Sequence, residues 1–389
     1  MKTLPIAVTF AALLGGVTEA RAEGVDFIKD AKLYYRVVAC KGTDPLPATI
    51  DAVTVDKHCV EQNKRYDKIT KTYFTPAAEF LAALRPANLP TTIVYPFGGG
   101  DLMSALVTYP DAREITTISL EHAGDPTRLA TLDKGKLAAA LANYRAASYG
   151  LLSLHDSTSE NMRKLEKGGI PGQLSFHLTG MAVMGYEPVS LKFFKLTDDG
   201  KVQYYSQADI DALAKTKAKR VKGSWVDTDW SVAWDHMELQ FRKAGDPKAP
   251  VITHRHFAWN LADKGFGGSA LEKHLVAKGK VASLTKAASY LIWLDGFSKI
   301  RDYLLANMVF MVSDATGIEN KWAKKAGFEQ VTYGRFKGPF LEEASQSVGA
   351  QMVKLWASQP FRKLPFRYGY PDSEGNIHLM ITKPAESKK

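Results

Sequence analysis

Two cysteines in 389 residues are too few for a disulfide-stapled miniprotein. No uncharged run reaches the ~20 apolar residues that a helix needs to cross hydrocarbon, which excludes a polytopic membrane protein. No internal repeat appears, and no low-complexity stretch beyond a lysine-rich C-terminal end. The glycines follow no triplet pattern, so a collagen-like fibre is excluded, and a hydrophobic content of 45% excludes a disordered chain. What is present is an ordinary globular composition with 24% charged residues and a formal charge of +10.

The N-terminus reads as an export signal. Lys2 supplies a positive start, Leu4 to Thr18 carry no charge, and Ala20-Arg21-Ala22 places small residues where a signal peptidase reads. Cleavage is expected after Ala22, and the uncharged run is too short for a membrane anchor. The mature chain then loses Lys2, Arg21 and Glu19, which lowers the charge from +10 to +9. Its location is expected to be periplasmic or secreted. In an oxidising compartment the isolated pair Cys40 and Cys59 is expected to form one disulfide. The closed loop contains Pro45 and Pro47, and the bond contributes about 3 kcal/mol if unstrained. The basic segment Lys215–Lys222 lacks interleaved aromatics, so it reads as a solvated helix end and predicts no specific nucleic-acid partner.

The most informative stretch is TTIVYPFGGGDLMSALVTYPDAREITTISLEHAGDP. Thr91 to Tyr95 form a β-branched run fit for a buried strand, and Gly98-Gly99-Gly100 break it. Asp101 can cap a helix over Leu102 to Val107, and Glu114 to Leu120 read as a second strand with Glu121 and His122 at its end. Helices are expected at 76–84, 136–150, 172–186, 297–308 and 341–357, and a strand at 309–314. The tryptophan-rich stretch from about 199 to 265 reads as a β-rich insertion, with SWVDTDWSVAWDHMELQFRK and VITHRHFAWNL as antiparallel partners. Two closing strands, PFRYGY and NIHLMIT, are expected to form a C-terminal hairpin. The resulting organisation is a signal peptide over 1–22, an arm with the disulfide loop over 23–75, and an α/β domain over 76–389. The fold class expected is a three-layer, mostly parallel α/β sheet of the Rossmann or methyltransferase-like kind.

The segment YPFGGGDLMSALVTYPDAREITTISLEHAGDP resembles a family of uncharacterised exported bacterial α/β proteins. These carry a similar proline-aromatic-glycine turn followed by Asp, and a strand ending near Leu-Glu. ASYLIWLDGFSKIRDYLLANMVFMVSDATGI is similar to the same family, which implies a shared fold and export but no activity. A more distant resemblance is to class I methyltransferases, in which a glycine-rich turn follows the first strand and an acidic residue ends the second. Glu121 stands 21 residues after Gly100, as that likeness requires. It implies AdoMet as cofactor, with Gly98, Gly99, Gly100 and Asp101 around it. The turn departs from a clean GxGxG, and Asp101 would repel a phosphate at the helix N-terminus.

Other constellations carry competing chemistry. His236 and Glu238 alternate along one strand, and His254 and His256 along the next. If 236 opposes 256, four ligands share a face that zinc would accept, whereas a one-residue slip puts Met237 and Leu239 there instead. Ser153, His155 and Asp156 suggest a hydrolase triad, but no GxSxG elbow surrounds the serine. Asp295 reads as a helix N-cap. Asp314 follows an apolar strand and, with Asp101 and Glu121, would line one rim if the three strands are parallel, with Arg301 available to an acid or an anionic ligand. Two functions follow: a protein that binds a small ligand or envelope partner at that rim, or an enzyme on the same rim, either a methyltransferase descendant or a carboxylate-dependent hydrolase.

Overall fold

The computed structural model describes residues 24–153, 169–170, 172–216, 231–337, 346–368 and 377–385. The chain enters as helix α1 (Ile28–Val37), then α2 (Ala52–Ile69), which runs through a π turn into α3 (Thr75–Ala82). Asp51 caps α2, accepting from the Thr54 N–H. This helix was not foreseen: Pro45 and Pro47 drew attention to the loop, whereas an 18-residue helix follows it. Strand β1 (Thr92–Pro96), helix α4 (Leu102–Thr108) and strand β2 (Glu114–Ser119) come next. Helices α5 (Lys134–Ser153) and α6 (Leu174–Val183) precede β3 (Tyr186–Leu196), β4 (Val202–Tyr204) and α7 (Gln207–Leu213). The hairpin β5 (Met237–Lys243) and β6 (Ile252–Ala258) leads through α8 (Asp263–Phe266) and α9 (Ala270–Val276) to β7 (Val281–Thr285). Helix α10 (Ser298–Asn307), β8 (Met308–Ser313), α11 (Asn320–Lys325), β9 (Phe328–Arg335), α12 (Gln346–Ala357) and β10 (Ile377–Pro384) complete the order.

The ten strands of the described residues form one sheet in the order β4-β3-β5-β6-β2-β1-β7-β8-β10-β9. The expectation of a mostly parallel sheet is corrected. Four neighbouring pairs are parallel (β6-β2, β2-β1, β1-β7, β7-β8) and the other five are antiparallel. Short connections are the reason. The turn after Lys243 and the one between β3 and β4 can only reverse the chain, whereas parallel neighbours need a crossover. The tryptophan-rich stretch is not set apart from the sheet, since β6 is paired to β2 on one side and β5 on the other. The expected C-terminal hairpin is also corrected. Residues 365–368 are not strand, and β10 lies instead between β8 and β9, antiparallel to both.

Alternation along each strand divides the interior into two apolar cores. Ile93, Tyr95, Ile115, Leu239, Leu284 and Phe310 face one, with α1 to α6 packed over it. Val94, Ile118, Phe257, Val281 and Met311 face the other, beneath α8 to α12. The β9 edge is closed by a side chain: the Gln359 amide donates to the Gln330 carbonyl and accepts from the Thr332 N–H, as a neighbouring strand would. The opposite edge, β4, is three residues long.

Cys40 and Cys59 are joined by a disulfide, with Cα atoms 5.2 Å apart, which ties the end of α1 to the middle of α2. Such bonds persist in oxidising compartments. Among the described residues no helix is long and apolar enough to cross a membrane.

Candidate functional site

Strands β6, β2, β1, β7 and β8 run the same way, so their carboxyl ends share one rim. The order reverses at β1, which has β2 on one side and β7 on the other. A switch of this kind opens a crevice beyond the strand ends, where open α/β sheets bind ligands. Asp101 follows β1, Glu121 and His122 follow β2, and Asp314 follows β8. All three strand ends therefore lie on one rim.

The crevice between β1 and β7 holds a buried polar cluster centred on Lys286, the residue after β7. Its ammonium donates to the Asp101 carboxylate at 3.1 Å and to Ser104 Oγ at 2.9 Å, and lies over the rings of Tyr73 and Tyr368. Tyr95 donates to Asp101 at 3.1 Å, and the Tyr73 hydroxyl is 3.0 Å from Ser104. Asp101 also caps α4 by accepting from the Ser104 N–H. Burial pushes the Lys286 pKa down, but Asp101, with Tyr73 and Asp314 behind it, outweighs that and holds it above the usual lysine value. Lys286 therefore stays charged and cannot serve as a general base near neutral pH.

Two strained residues frame this crevice. Phe97 (φ 60°) directly follows β1, and Ala287 (φ 51°) lies two residues beyond β7. Among the described residues the only other non-glycine in the left-handed region is Cys40. Such a conformation costs about 1–3 kcal/mol and collects at ligand clamps and active sites. Phe97 and Phe297 meet with ring centroids 6.0 Å apart, and both stay only partly buried, as do Trp259 after β6 and Tyr290 after β7. Leu120, after β2, is 43% exposed. The rim thus has a charged interior and an apolar, aromatic margin.

The glycine turn does not fit AdoMet. A Cβ at Gly100 would come within 2.7 Å of Phe176 and 2.6 Å of Gln173 Oε1, and one at Gly98 would sit 2.7 Å from the Tyr95 ring. The glycines accommodate the protein's own side chains. His177 of α6 reaches the Gly99 carbonyl at 3.0 Å, and the Gln173 and Leu174 N–H groups donate to the carbonyls of His122 and Ala123. Helix α6 therefore packs directly against the glycine turn.

The remaining candidates are placed as follows. The Asp314 carboxylate accepts from the N–H groups of Ala287 and Thr316 and from the Thr316 hydroxyl, so it fixes two turns. Arg301 is buried, donates to the Ile292 carbonyl and stacks on Trp322 at 4.4 Å. Asp295 does not cap α10; Asp263 does so, accepting from Ser298 Oγ and the Lys299 N–H. The zinc set is not assembled. The register opposes His256 to Met237 and His254 to Leu239, while Glu238 faces the other side opposite Arg255. His236 lies ahead of β5 and accepts from the Ala258 N–H. Among the described residues the only group with metal-ligand proximity is Cys40, His58 and Cys59, whose sulfurs are bonded to each other. His155, Asp156 and most of the lysine-rich segment 215–222 lie outside the described residues.

Comparison with family models, curated proteins and solved structures finds no match. The geometry alone must carry the functional reading. A groove of about 980 Å³ between α11, β9 and α12, lined by Lys321, Lys324 and Lys354, lies away from the rim and contains none of the candidate residues.

Sequence reasoning missed Lys286, Ser104, Thr117 and His177. Lys286 had one signal, a lone lysine directly after the apolar run VASLT. His177 had another, a single histidine in the otherwise apolar LSFHLTGMAV.

Proposed function

We propose that the chain is an exported protein, cleaved after Ala22, that binds a small ligand or an envelope partner at the margin of the strand switch point. The observation that carries this reading is the pair of strained residues, Phe97 and Ala287, at the ends of adjacent strands around a crevice already filled by Asp101 and Lys286. With the crevice filled, what remains for a ligand is the margin of Phe97, Phe297, Trp259, Tyr290 and Leu120. That surface suits an apolar or aromatic group laid across the rings. The enzymatic alternative, a methyltransferase descendant or a carboxylate hydrolase, is less favoured because Asp101 and Asp314 are committed to internal partners.

The test is thermal-shift screening of the mature protein with aromatic small molecules, AdoMet and nucleotides, repeated on Phe97→Ser and Ala287→Gly. Ala287→Gly relieves left-handed strain and should stabilise the protein by about 1 kcal/mol. Phe97→Ser should abolish the shift given by a margin ligand. A shift with millimolar AdoMet that survives Phe97→Ser would overturn the binding reading in favour of the enzyme.

A further inference from the structure

Beneath the rim, on the face covered by α6, a chain of hydrogen-bonding groups runs through a fully buried layer. His177 Nε2 lies 3.0 Å from the Gly99 carbonyl, and His177 Nδ1 lies 3.3 Å from His254 Nδ1. His254 Nε2 lies 2.9 Å from Thr117 Oγ1, which lies 3.1 Å from His256 Nδ1. His256 Nε2 ends the chain, 2.8 Å from the Glu121 carbonyl. His177, His254, His256 and Thr117 are all completely buried.

Both ends of this chain are carbonyl oxygens, which only accept. Between them lie five hydrogen-bond links, each needing one proton. Three neutral imidazoles and one hydroxyl supply one proton each, which makes four. One link in the neutral chain must therefore set two lone pairs against each other. A fifth proton satisfies every link: His177 donates to Gly99, His254 to His177, Thr117 to His254, and a doubly protonated His256 to both Thr117 and Glu121. The same five links can be satisfied with the charge on His254 or His177, so the proton is shared along the chain.

We infer that the His177–His254–Thr117–His256 chain is a binding site for one excess proton, held by the completion of this hydrogen-bond path. Burial opposes the charge, since desolvation lowers all three histidines, His256 to about 4. Two features oppose burial. The charged form gains a link that the neutral form lacks, and the Glu121 carbonyl and carboxylate both favour charge on His256. His122, from the same segment as Glu121, and His236, ahead of β5, work against it. Strand β5 presents Met237 and Leu239, α6 presents the uncharged Gln173, and Asp101 at the head of α4 is engaged by Lys286. The charge therefore settles nearest Glu121, on His256. Because the chain ends on Gly99 and Glu121, the proton tightens the turns after β1 and β2 together.

Thr117→Val isolates the prediction. It removes two links and one proton, leaving three links for three protons, and any added proton would then face a methyl group. Thr117→Ser keeps the hydroxyl. Imidazole ¹⁵N shifts of the ligand-free protein, followed against pH, report each ring's protonation directly. Wild type and Thr117→Ser should show one shared imidazolium, with a midpoint at least about one pH unit above the first protonation in Thr117→Val. The inference is overturned if all three rings of wild type stay neutral down to acid unfolding, or if Thr117→Val titrates as wild type does. Should Thr117→Val fail to fold, the wild-type shifts alone decide. No ligand is added, so the outcome is independent of whether the rim binds one.

Discussion

Strands β2 and β6 carry buried polar groups on both faces, and the two faces solve burial in opposite ways. Towards α6 the strands present Thr117, His254 and His256, a set joined only by hydrogen bonds. Towards α9 they present Glu114 and Arg255. Arg255 binds both Glu114 and, at 2.7 Å, Glu238, while Lys278 adds a second cation to Glu114 and Tyr204 donates to Glu238 at 2.7 Å. The difference follows access to water. Glu114 and Arg255 keep 27% and 19% of their side-chain surface, whereas the histidines keep none. Burial disfavours charge in the dry layer, so that face uses groups that can be neutral and that share any proton they take up along one hydrogen-bonded path. On the other face, which Glu114 and Arg255 open to water, charges are retained and paired, the 2% exposed Glu238 by Arg255.

Acid should separate the two faces most strongly. Burial depresses the folded pKa of His256 to about 4 from 6.5, and holds those of His177 and His254 well below 6.5. Above pH 6.5 this stability is complete. Between pH 6.5 and 4 the unfolded chain binds protons that the folded chain refuses, so stability falls by about 1.4 kcal/mol per pH unit for each such histidine. A proton taken up by the buried chain reduces that slope by one histidine's share. On the opposite face, burial raises the Glu114 pKa, but Lys278 and Arg255 outweigh it and hold the carboxyl below 4.5. Its contribution is therefore present above that value and lost only below it. Denaturant melts at stepped pH should show decline from pH 6.5; a flat profile down to pH 4.5 would remove the contrast.

Arg255→Met comes next in size. It removes the ion-pair partner of Glu238, 2% exposed, and should cost about 3–5 kcal/mol in urea unfolding. Lys278→Met should cost less, about 1 kcal/mol, because Glu114 keeps Arg255 and because burial already disfavours the Lys278 charge. The smallest effect is that of salt. Raising NaCl from 0.1 to about 1 M should weaken the α9 face by less than about 1 kcal/mol and leave the ¹⁵N shifts of the α6-side histidines unchanged. A large salt effect on those histidines would mean that water reaches them.

How much of this could be read from sequence differs by element. The unit from β1 to β2 was readable because a β-branched run, a glycine break and an aspartate cap are local signals, and Asp101 does cap α4. The helix at 174–183 and the β5–β6 pairing were readable for the same reason. Sheet direction was not. It depends on which strands meet across long separations, and β10 inserting between β8 and β9 leaves no local mark. The histidine register was a choice between two slips, and only the sheet decides it. Within the candidate site, Asp101 and Asp314 stood out as acids at strand ends. Their partner Lys286 is 185 residues from Asp101, a distance that no motif spans.

Gln359 has a consequence for assembly. A sheet edge is a template for further strands wherever its rim of N–H and C=O groups is bare, and here the Gln359 carboxamide stands in for the missing neighbour at Gln330 and Thr332. Any polypeptide that would join the sheet at β9 must first displace Gln359, and with it Arg362, whose carbonyl accepts from the Gly334 N–H and whose guanidinium donates to the Thr332 carbonyl.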